Sequence, residues 1–516
     1  MSKRDNPLVL TLALLITIGV IGGSLWLLLR RTSKLITGVP EQSGTSKLTL
    51  LGDTFSGYST FRSNEFQKAL KEVGINLTYQ DEFDQQKRTQ LLNQRKADLF
   101  VTTLDQFLKH KPQGKIVGLI DRTVGADAVV LNTKKYPNLN SLLDLSQLIK
   151  QQRKQGKKLS IAFAGDTPSE YLALVLSTKF EAFNLSDFEI KEVADASEAW
   201  QMLQDNQKNV AVAVLWEPFV TQAQQNGYTV VLSSKDAPKV IVDVIVASEP
   251  LIKSQPSKIS ELLESYYRRI DANVRQPSQL QRQIAEDGKL SDDEAASVLR
   301  GIDFFTAVEA KDWMTDGTLE KRIASTAAVL VLAGEMNERP QTPNQLFTSQ
   351  FVNQAASNTQ TLIDIIRADN PELADKLQGK GSTIGILPSS IGTSQIKTAP
   401  DIGNLQVRGE VKFGLGSAQL TAVKRDSLNN LAQEIGEFNE QTVAVRVIGH
   451  TSKTGSADVN QKLSEQRAQV VVNYLRTQGL KHNFLAEGKG FYLPLSGIPS
   501  EDPRQQRTEI RLVRIN

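Results

Sequence analysis

Four short segments concentrate the residues able to hold a small molecule: Ser56-Gly57-Tyr58-Ser59-Thr60, Thr102-Thr103, Gly165-Asp166-Thr167-Pro168-Ser169 and Trp216-Glu217-Pro218. Each follows a short apolar run, and three of the four carry hydroxyls just before a helical pattern. Such hydroxyls cap helix N-termini, and with the free backbone N–H groups beside them they can also receive a small anion. Capping accounts for any one loop taken alone; a binding site requires several loops to converge on one hollow. Trp216 offers an aromatic wall, or packs under the Pro218 turn. Asp127 and Asp243 lie where the chain would cross between two blocks, and are read as hinge hydrogen-bonding groups in preference to ligand partners. Asp166 and Glu217 disfavour an anion unless they point away from it.

Covalent chemistry finds no support. The 516 residues contain no cysteine, which excludes disulfides, thiolate metal sites and thiol nucleophiles. The three histidines, His110, His450 and His482, stand far apart, and there is no G-x-S-x-G elbow. Closure around a solute needs no reaction, so binding without catalysis, metal or cofactor is expected. With 60 basic and 57 acidic residues the net charge is +3, too small to draw the chain onto nucleic acid. A Gly379–Gly385 stretch, GKGSTIG, lacks the spacing of a phosphate loop.

The elements that must position these loops follow from the apolar pattern. Residues 47–356 alternate short apolar runs with amphipathic stretches, twice over: LTLLG (48–52), a helix over 63–74, INLTYQ (75–80), ADLFVTT (97–103), KIVGLI (115–120) and DAVVLN (127–132), then LSIAFAG (159–165), a helix over 169–183, FEIKEV (188–193), a helix over 197–206 and VAVAVLW (210–216). TVVLSS (229–234) and VIVDVIVAS (240–248) lead into helices. This grammar predicts two α/β lobes with mostly parallel sheets. Residues 357–404 contain a Gly/Ser/Thr/Pro-rich run and are expected to be a linker. Residues 405–516 predict an α+β unit: a strand over 407–414, a helix over 420–438, a strand over 443–450, a helix over 460–478 and a closing strand over 508–515.

Ahead of the lobes, Pro7–Leu29 holds 23 residues without a charge, about 35 Å as an α-helix, which suffices for a bilayer core. The run is long for a signal peptide, and no small-residue cleavage site follows it. An uncleaved anchor over 1–30 and a polar tether over 31–46 are expected. Lys3 and Arg4 on one side and Arg30, Arg31 and Lys34 on the other pull the orientation in opposite directions. Gly19 and Gly23 are read as ordinary membrane-helix glycines.

Two resemblances complete the reading. On ADLFVTTLDQFL (97–108), GADAVV (125–130), AGDTPSEYLAL (164–174) and AVLWEPF (213–219), residues 47–356 resemble the nitrate/sulfonate/taurine-type solute-binding proteins of ABC importers. The resemblance implies a two-lobed periplasmic-binding-protein fold that closes on a small solute, expected to be anionic. Its ligand-binding candidates are Tyr58, Ser59, Thr60, Thr103, Thr167, Ser169 and Trp216.

On Phe413-Gly414-Leu415-Gly416-Ser417-Ala418, Gly449-His450-Thr451, Asn460, Leu463-Ser464, Arg467-Ala468, Gly488, Gly490 and Arg507-Thr508-Glu509-Ile510, residues 405–516 resemble the OmpA-like peptidoglycan-binding domain. There Thr451, Ser452, Asn460, Arg467 and Arg507 are the implied wall-binding residues, with the Arg467 guanidinium matched to a carboxylate of the peptide stem. Ser452 stands where that family usually has an aspartate that pairs the ligand's ammonium, and Gln505-Gln506-Arg507 replaces its usual NRR. Together the resemblances imply a single-pass inner-membrane protein with its bulk in the periplasm, holding a small solute and peptidoglycan, and working with separate ABC permease and ATPase subunits. The alternative is a structural or sensory envelope protein that links membrane to wall without transport.

Overall fold

The computed structural model of the protein describes residues 45–380, 391–406, 413, 416–420 and 422–515, except for the side chains of 422–424. The expected anchor, nearly all of the tether and most of the strand expected over 407–414 lie outside the described residues. Among the described residues, no helix is long and apolar enough to cross a membrane.

The first sheet begins with β1 (Ser46–Gly52), β2 (Ile75–Asp81), β3 (Leu99–Thr103) and β4 (Gly114–Thr123). After β4 the chain crosses into a second sheet, built from β5 (Asp127–Leu131), β6 (Ser160–Ala164), β7 (Glu189–Val193), β8 (Val210–Trp216) and β9 (Thr229–Ser233). It then returns to the first sheet as β10 (Val242–Ser248), followed much later by β11 (Ile302–Phe304). The orders are β11-β4-β10-β3-β1-β2 and β7-β6-β8-β5-β9. Every residue of β3, β5, β6 and β10 is buried, which explains their unbroken apolar runs: helices cover both faces of each sheet.

The sheets are mixed rather than mostly parallel. β10 runs antiparallel to both β3 and β4, and β5 runs antiparallel to both β8 and β9. Both reversals occur where the chain has just changed lobes. A strand that re-enters through a short crossover arrives from the cleft end, opposite in direction to its βαβ neighbours. The two crossovers, 124–126 and 234–241, are tied to each other: Thr123 N–H donates to the Ile241 carbonyl (3.4 Å), Gly125 N–H to Ser234 Oγ (2.8 Å) and Ser234 N–H to the Asp127 carbonyl (2.8 Å).

The stretch 357–404, expected to be a linker, is largely built into the fold. The helix Asn353–Ile366 runs into it and is pinned by the Thr359 hydroxyl, which donates to Asp271 (2.7 Å). The helices Pro371–Leu377 and Thr393–Thr398 and the strand β12 (Asp401–Asn404) follow. The Gly/Ser-rich composition that suggested a tether is concentrated at 381–390, outside the described residues; on either side, Ile363, Leu377, Ile396 and Ile402 bury apolar surface.

The C-terminal sheet takes β12 together with β13 (Val443–Gly449), β14 (Phe484–Gly488) and β15 (Thr508–Arg514), in the order β12-β15-β13-β14. Alternation along β13 sends Val443, Val445 and Val447 into the main core with Ala468 and Val471 of the helix Ala457–Thr477. Ala444 packs with Ile396 and Val513 on the other face. This unit docks on the second lobe. Leu405 bridges to Phe180, Gln406 N–H donates to the Lys179 carbonyl (2.7 Å), and the rings of Phe180 and Phe438 meet edge-on at 6.0 Å.

Candidate solute cleft and wall-binding face

The ends of β1, β3, β4 and β10 meet at the crossovers and bring a set of buried polar groups together. Asp243 sits directly opposite Thr103 in the β10–β3 register, and its Oδ1 accepts a short hydrogen bond from the Tyr58 hydroxyl. Asp121, at the end of β4, is fully buried, and its carboxyl lies against Gly57: a Cβ added there would come within 2.3 Å of Oδ2. That close approach requires glycine. Across the first crossover, Asp127 begins β5 opposite Trp216 at the end of β8. Asp105 opens the helix Leu104–His110 and accepts from Gln106 Nε2 (3.0 Å).

Several of these groups are left unpartnered. Both oxygens of Asp121, Oδ2 of Asp243 and the hydroxyl of Ser169 are buried without a hydrogen bond, while the Thr103 and Thr123 hydroxyls lie against the carboxyls of Asp105 and Asp127. Burial is the first cause of a raised pKa at each carboxyl: Asp105 to about 6, Asp127 to about 7 and Asp243 to about 8. Asp121 is pushed well up as well, by burial and then by the neighbouring charges of Asp243 and Asp303.

Three basic groups near these residues are engaged by carboxylates. Arg88, wholly buried, binds Asp53 (2.5 Å) and donates to the Val101 carbonyl (2.7 Å). Arg122, which alternates to the opposite face of β4 from Asp121, pairs with Asp303 and Glu309 (2.8 Å) and stacks on Phe305 and Trp313; only its Nε lacks an acceptor. Lys109 reaches from the first lobe to Asp166 of the second (2.9 Å) and to Glu335 (3.0 Å), so the lobes are joined across the cleft. Asp166 is thus paired, and Glu217 is turned to Thr221, accepting from its N–H (3.1 Å) and hydroxyl (2.9 Å). Neither of these two faces the hollow as a free charge. Asp121, Asp127 and Asp243 are buried at the crossovers, where burial favours their protonated forms.

The expected solute residues divide accordingly. Tyr58, Thr103 and Trp216 come together around Asp243 and Asp127, and Ser169 presents an unpartnered hydroxyl from the second lobe. Thr167 is a helix cap, accepting from Ser169 N–H (3.2 Å) and donating to the Ala164 carbonyl (2.7 Å). Ser59 is buried and accepts from Arg62 (3.3 Å). Thr60 lines a separate hollow of about 190 Å³ with Ser63, Asn273 and Gln279. Asp121 was missed by sequence reasoning, although a single aspartate ending the apolar run KIVGLI is a visible irregularity.

On the C-terminal unit, Gly449 and Gly488 set the geometry. A Cβ on Gly449 would fall 2.2 Å from the Ser464 carbonyl oxygen, and one on Gly488 2.4 Å from Ser464 Oγ. Both strand ends therefore touch the helix Ala457–Thr477, which carries Asn460 and Arg467. Arg467 is 2% exposed; its Nε donates to the Ser417 carbonyl (3.0 Å), its Nη2 to Gln506 Oε1 (3.3 Å), and its guanidinium lies over Phe413. Gln506 also donates to Ser452 Oγ (3.1 Å), so Ser452, Gln506 and Arg467 form one chain of contacts. Asn460 fixes the preceding loop by donating to the Thr454 carbonyl (2.8 Å), and the Thr451 hydroxyl is buried and unpartnered. Arg507 points elsewhere. It pairs with Glu509 (2.7 Å), beside His450 (3.1 Å), in a groove of about 530 Å³ on the opposite face of the sheet.

Residues 412–507 match the OmpA family. The chain is 28% identical to outer membrane protein A of Shimwellia blattae across 122 residues, 23% of this chain and 49% of that protein. It is likewise 28% identical to outer membrane protein A of Shigella flexneri across 165 residues, 27% of this chain and 47% of that protein. The chain spans about half the length of these curated relatives. Among solved structures, it is similar to the alkanesulfonate-binding protein SsuA from Xanthomonas axonopodis pv. citri bound to MOPS (12% identity, 57% of this chain and 96% of that chain, TM-score 0.44). It is also similar to the periplasmic nitrate-binding protein NrtA from Synechocystis PCC 6803 (13% identity, 65% of this chain and 91% of that chain, TM-score 0.47). The chain thus joins an OmpA domain to a part whose structural neighbours are solute-binding proteins of ABC importers.

Proposed function

We propose that the protein is a solute-binding protein of the cell envelope, which captures a small molecule between its two lobes without transforming it and holds peptidoglycan through its C-terminal module. The observation that carries this reading is the set of buried, unpartnered polar groups at the crossovers. Buried donors and acceptors without partners cost about 1–3 kcal/mol each, so a fold that retains several at one hinge has a ligand to receive them. In this reading Pro7–Leu29 anchors the chain in the inner membrane, the remainder lies in the periplasm, and separate permease and ATPase subunits take up the cargo. Thr451, Ser452, Asn460 and Arg467 form the wall-binding face, with Arg467 as the carboxylate-binding group. Arg507, on the other side of the sheet, braces Glu509.

The test has two arms. A solute panel is screened for a raised unfolding midpoint, and the same protein is sedimented with purified sacculi. Binding in both arms is the expected result; a protein that sediments but responds to no solute fits the structural alternative.

A further inference from the structure

The polar groups gathered at the crossovers are dominated by buried carboxyls, which sets the charge of what a cleft there can take. We propose that the cleft binds a small organic cation, an amine or quaternary ammonium, with Asp121 and Asp243 on the first lobe and Asp127 on the second as its counter-charges. The inference rests on the solute-binding reading and names the class of solute.

Three observations carry it. First, the unpartnered atoms are carboxyl oxygens, both of Asp121 and Oδ2 of Asp243, which when ionised only accept. A fully buried carboxyl with neither oxygen hydrogen-bonded is a costly arrangement that a cation would relieve. Secondly, Arg88, Arg122 and Lys109 are each held by one or more carboxylates. An anion placed among the acids would meet the carboxyls of Asp121, Asp243 and Asp127. Thirdly, aromatic rings lie beside the acids, Tyr58 bonded to Asp243 and Trp216 opposite Asp127. A carboxylate with an aromatic face is the combination that recognises an alkylammonium group. Among the described residues no group of three or more His, Asp or Glu is arranged to hold a metal ion.

The test is calorimetric titration and thermal shift of the full-length protein with choline, ethanolamine and putrescine in one arm and nitrate, sulfate and ethanesulfonate in the other. The expected result is binding of at least one amine, weakened about tenfold or more by Asp121→Asn and by Asp243→Asn. Asparagine matches in size and neutrality the protonated carboxyl that burial favours in the apo fold, so each variant should fold with an apo midpoint near that of the parent, and Asp127→Asn provides an independent third. Binding of an anion, unaffected or strengthened by the Asp→Asn changes, would overturn the inference and leave the solute-binding reading standing. Silence in both arms would overturn both.

Discussion

Arg514, at the end of β15, is the pin that holds the wall module to the second lobe, and its removal can be costed. Its Nη2 lies 2.6 Å from Asp236, which is 2% exposed, and its Nη1 donates to the Val230 carbonyl. Breaking a buried ion pair from one side costs about 3–5 kcal/mol, because the remaining charge is left desolvated. Two features reduce that figure here. The Arg514 side chain is 21% exposed, so water can enter where it was, and Asp236 still accepts from Ser233 N–H (2.9 Å) and Ser233 Oγ (3.0 Å). The expected cost of Arg514→Ala is therefore about 2–3 kcal/mol, lodged in the interface. Scanning calorimetry should show the single transition of the parent move down and split, the wall module melting apart from the lobes. Asp236→Ala and the double variant complete a cycle, with an expected coupling of about 1–3 kcal/mol. A transition unchanged to within about 0.5 kcal/mol, or additive single effects, would show that the pair contributes nothing and that docking rests on the remaining contacts, those of Phe180, Leu405, Gln406, Phe438, Asn439 and Glu437.

Other expectations follow from the same geometry. Because Asp127 and Asp243 keep their protons to about pH 7 and 8 when folded but release them near pH 4 when unfolded, stability falls as pH rises through that window. The apo protein should therefore melt higher at pH 6.5 than at pH 8.5, by about 2–3 kcal/mol, and Asp243→Asn should remove most of the difference. Gly449→Ala drives a methyl into the Ser464 carbonyl and should lower the midpoint of the wall module by more than about 2 kcal/mol, as read by calorimetry. Arg467→Lys retains the charge but loses the planar fork, and should reduce sedimentation of the full chain with sacculi while leaving solute binding intact.

What could be read from the sequence was local. The strands β5, β6 and β8 were legible because burial on both faces leaves an uninterrupted apolar run. Thr167 was legible as a cap because its partner, Ser169 N–H, is two residues away. The hydroxyl loops were correctly placed at strand ends, but the buried aspartates that β4, β5 and β10 bring beside them were not legible as a group. Asp121 and Asp243 lie in separate strands of the first sheet, 122 positions apart in sequence with the whole second lobe between them, so no spacing rule could join them. The mixed strand directions were likewise hidden, since they depend on how the crossovers re-enter. The region 357–404 was misread because ten Gly/Ser-rich residues set the impression for helices whose buried faces are short. Arg514 and Asp236, 278 positions apart, gave no sign of meeting.

The position of that contact has a mechanical consequence. Asn439 N–H donates to the Asp236 carbonyl (2.8 Å) and Asn439 Nδ2 to the Lys235 carbonyl (3.1 Å), so the C-terminal module grips the second crossover itself in addition to the Lys179–Phe180 end of the second lobe. In a hinged pair of lobes the crossovers are the axis of opening, and the points on an axis move least. A module seated there can hold the wall while the lobes open and close, whereas one seated on a rim would have to be released or dragged with each cycle. One contact departs from this arrangement. Arg322, on the helix Thr318–Ala333, pairs with Glu437 of the wall module (2.5 Å), and the same helix packs on both Leu104–His110 of the first lobe and Pro168–Lys179 of the second. If opening strains the molecule anywhere outside the cleft, it is at this bridge. Arg322→Ala should therefore ease opening and lower solute affinity by favouring the open form, with sedimentation on sacculi unchanged. An affinity unaltered by that substitution would mean that the helix moves with the hinge and that the wall module is mechanically silent.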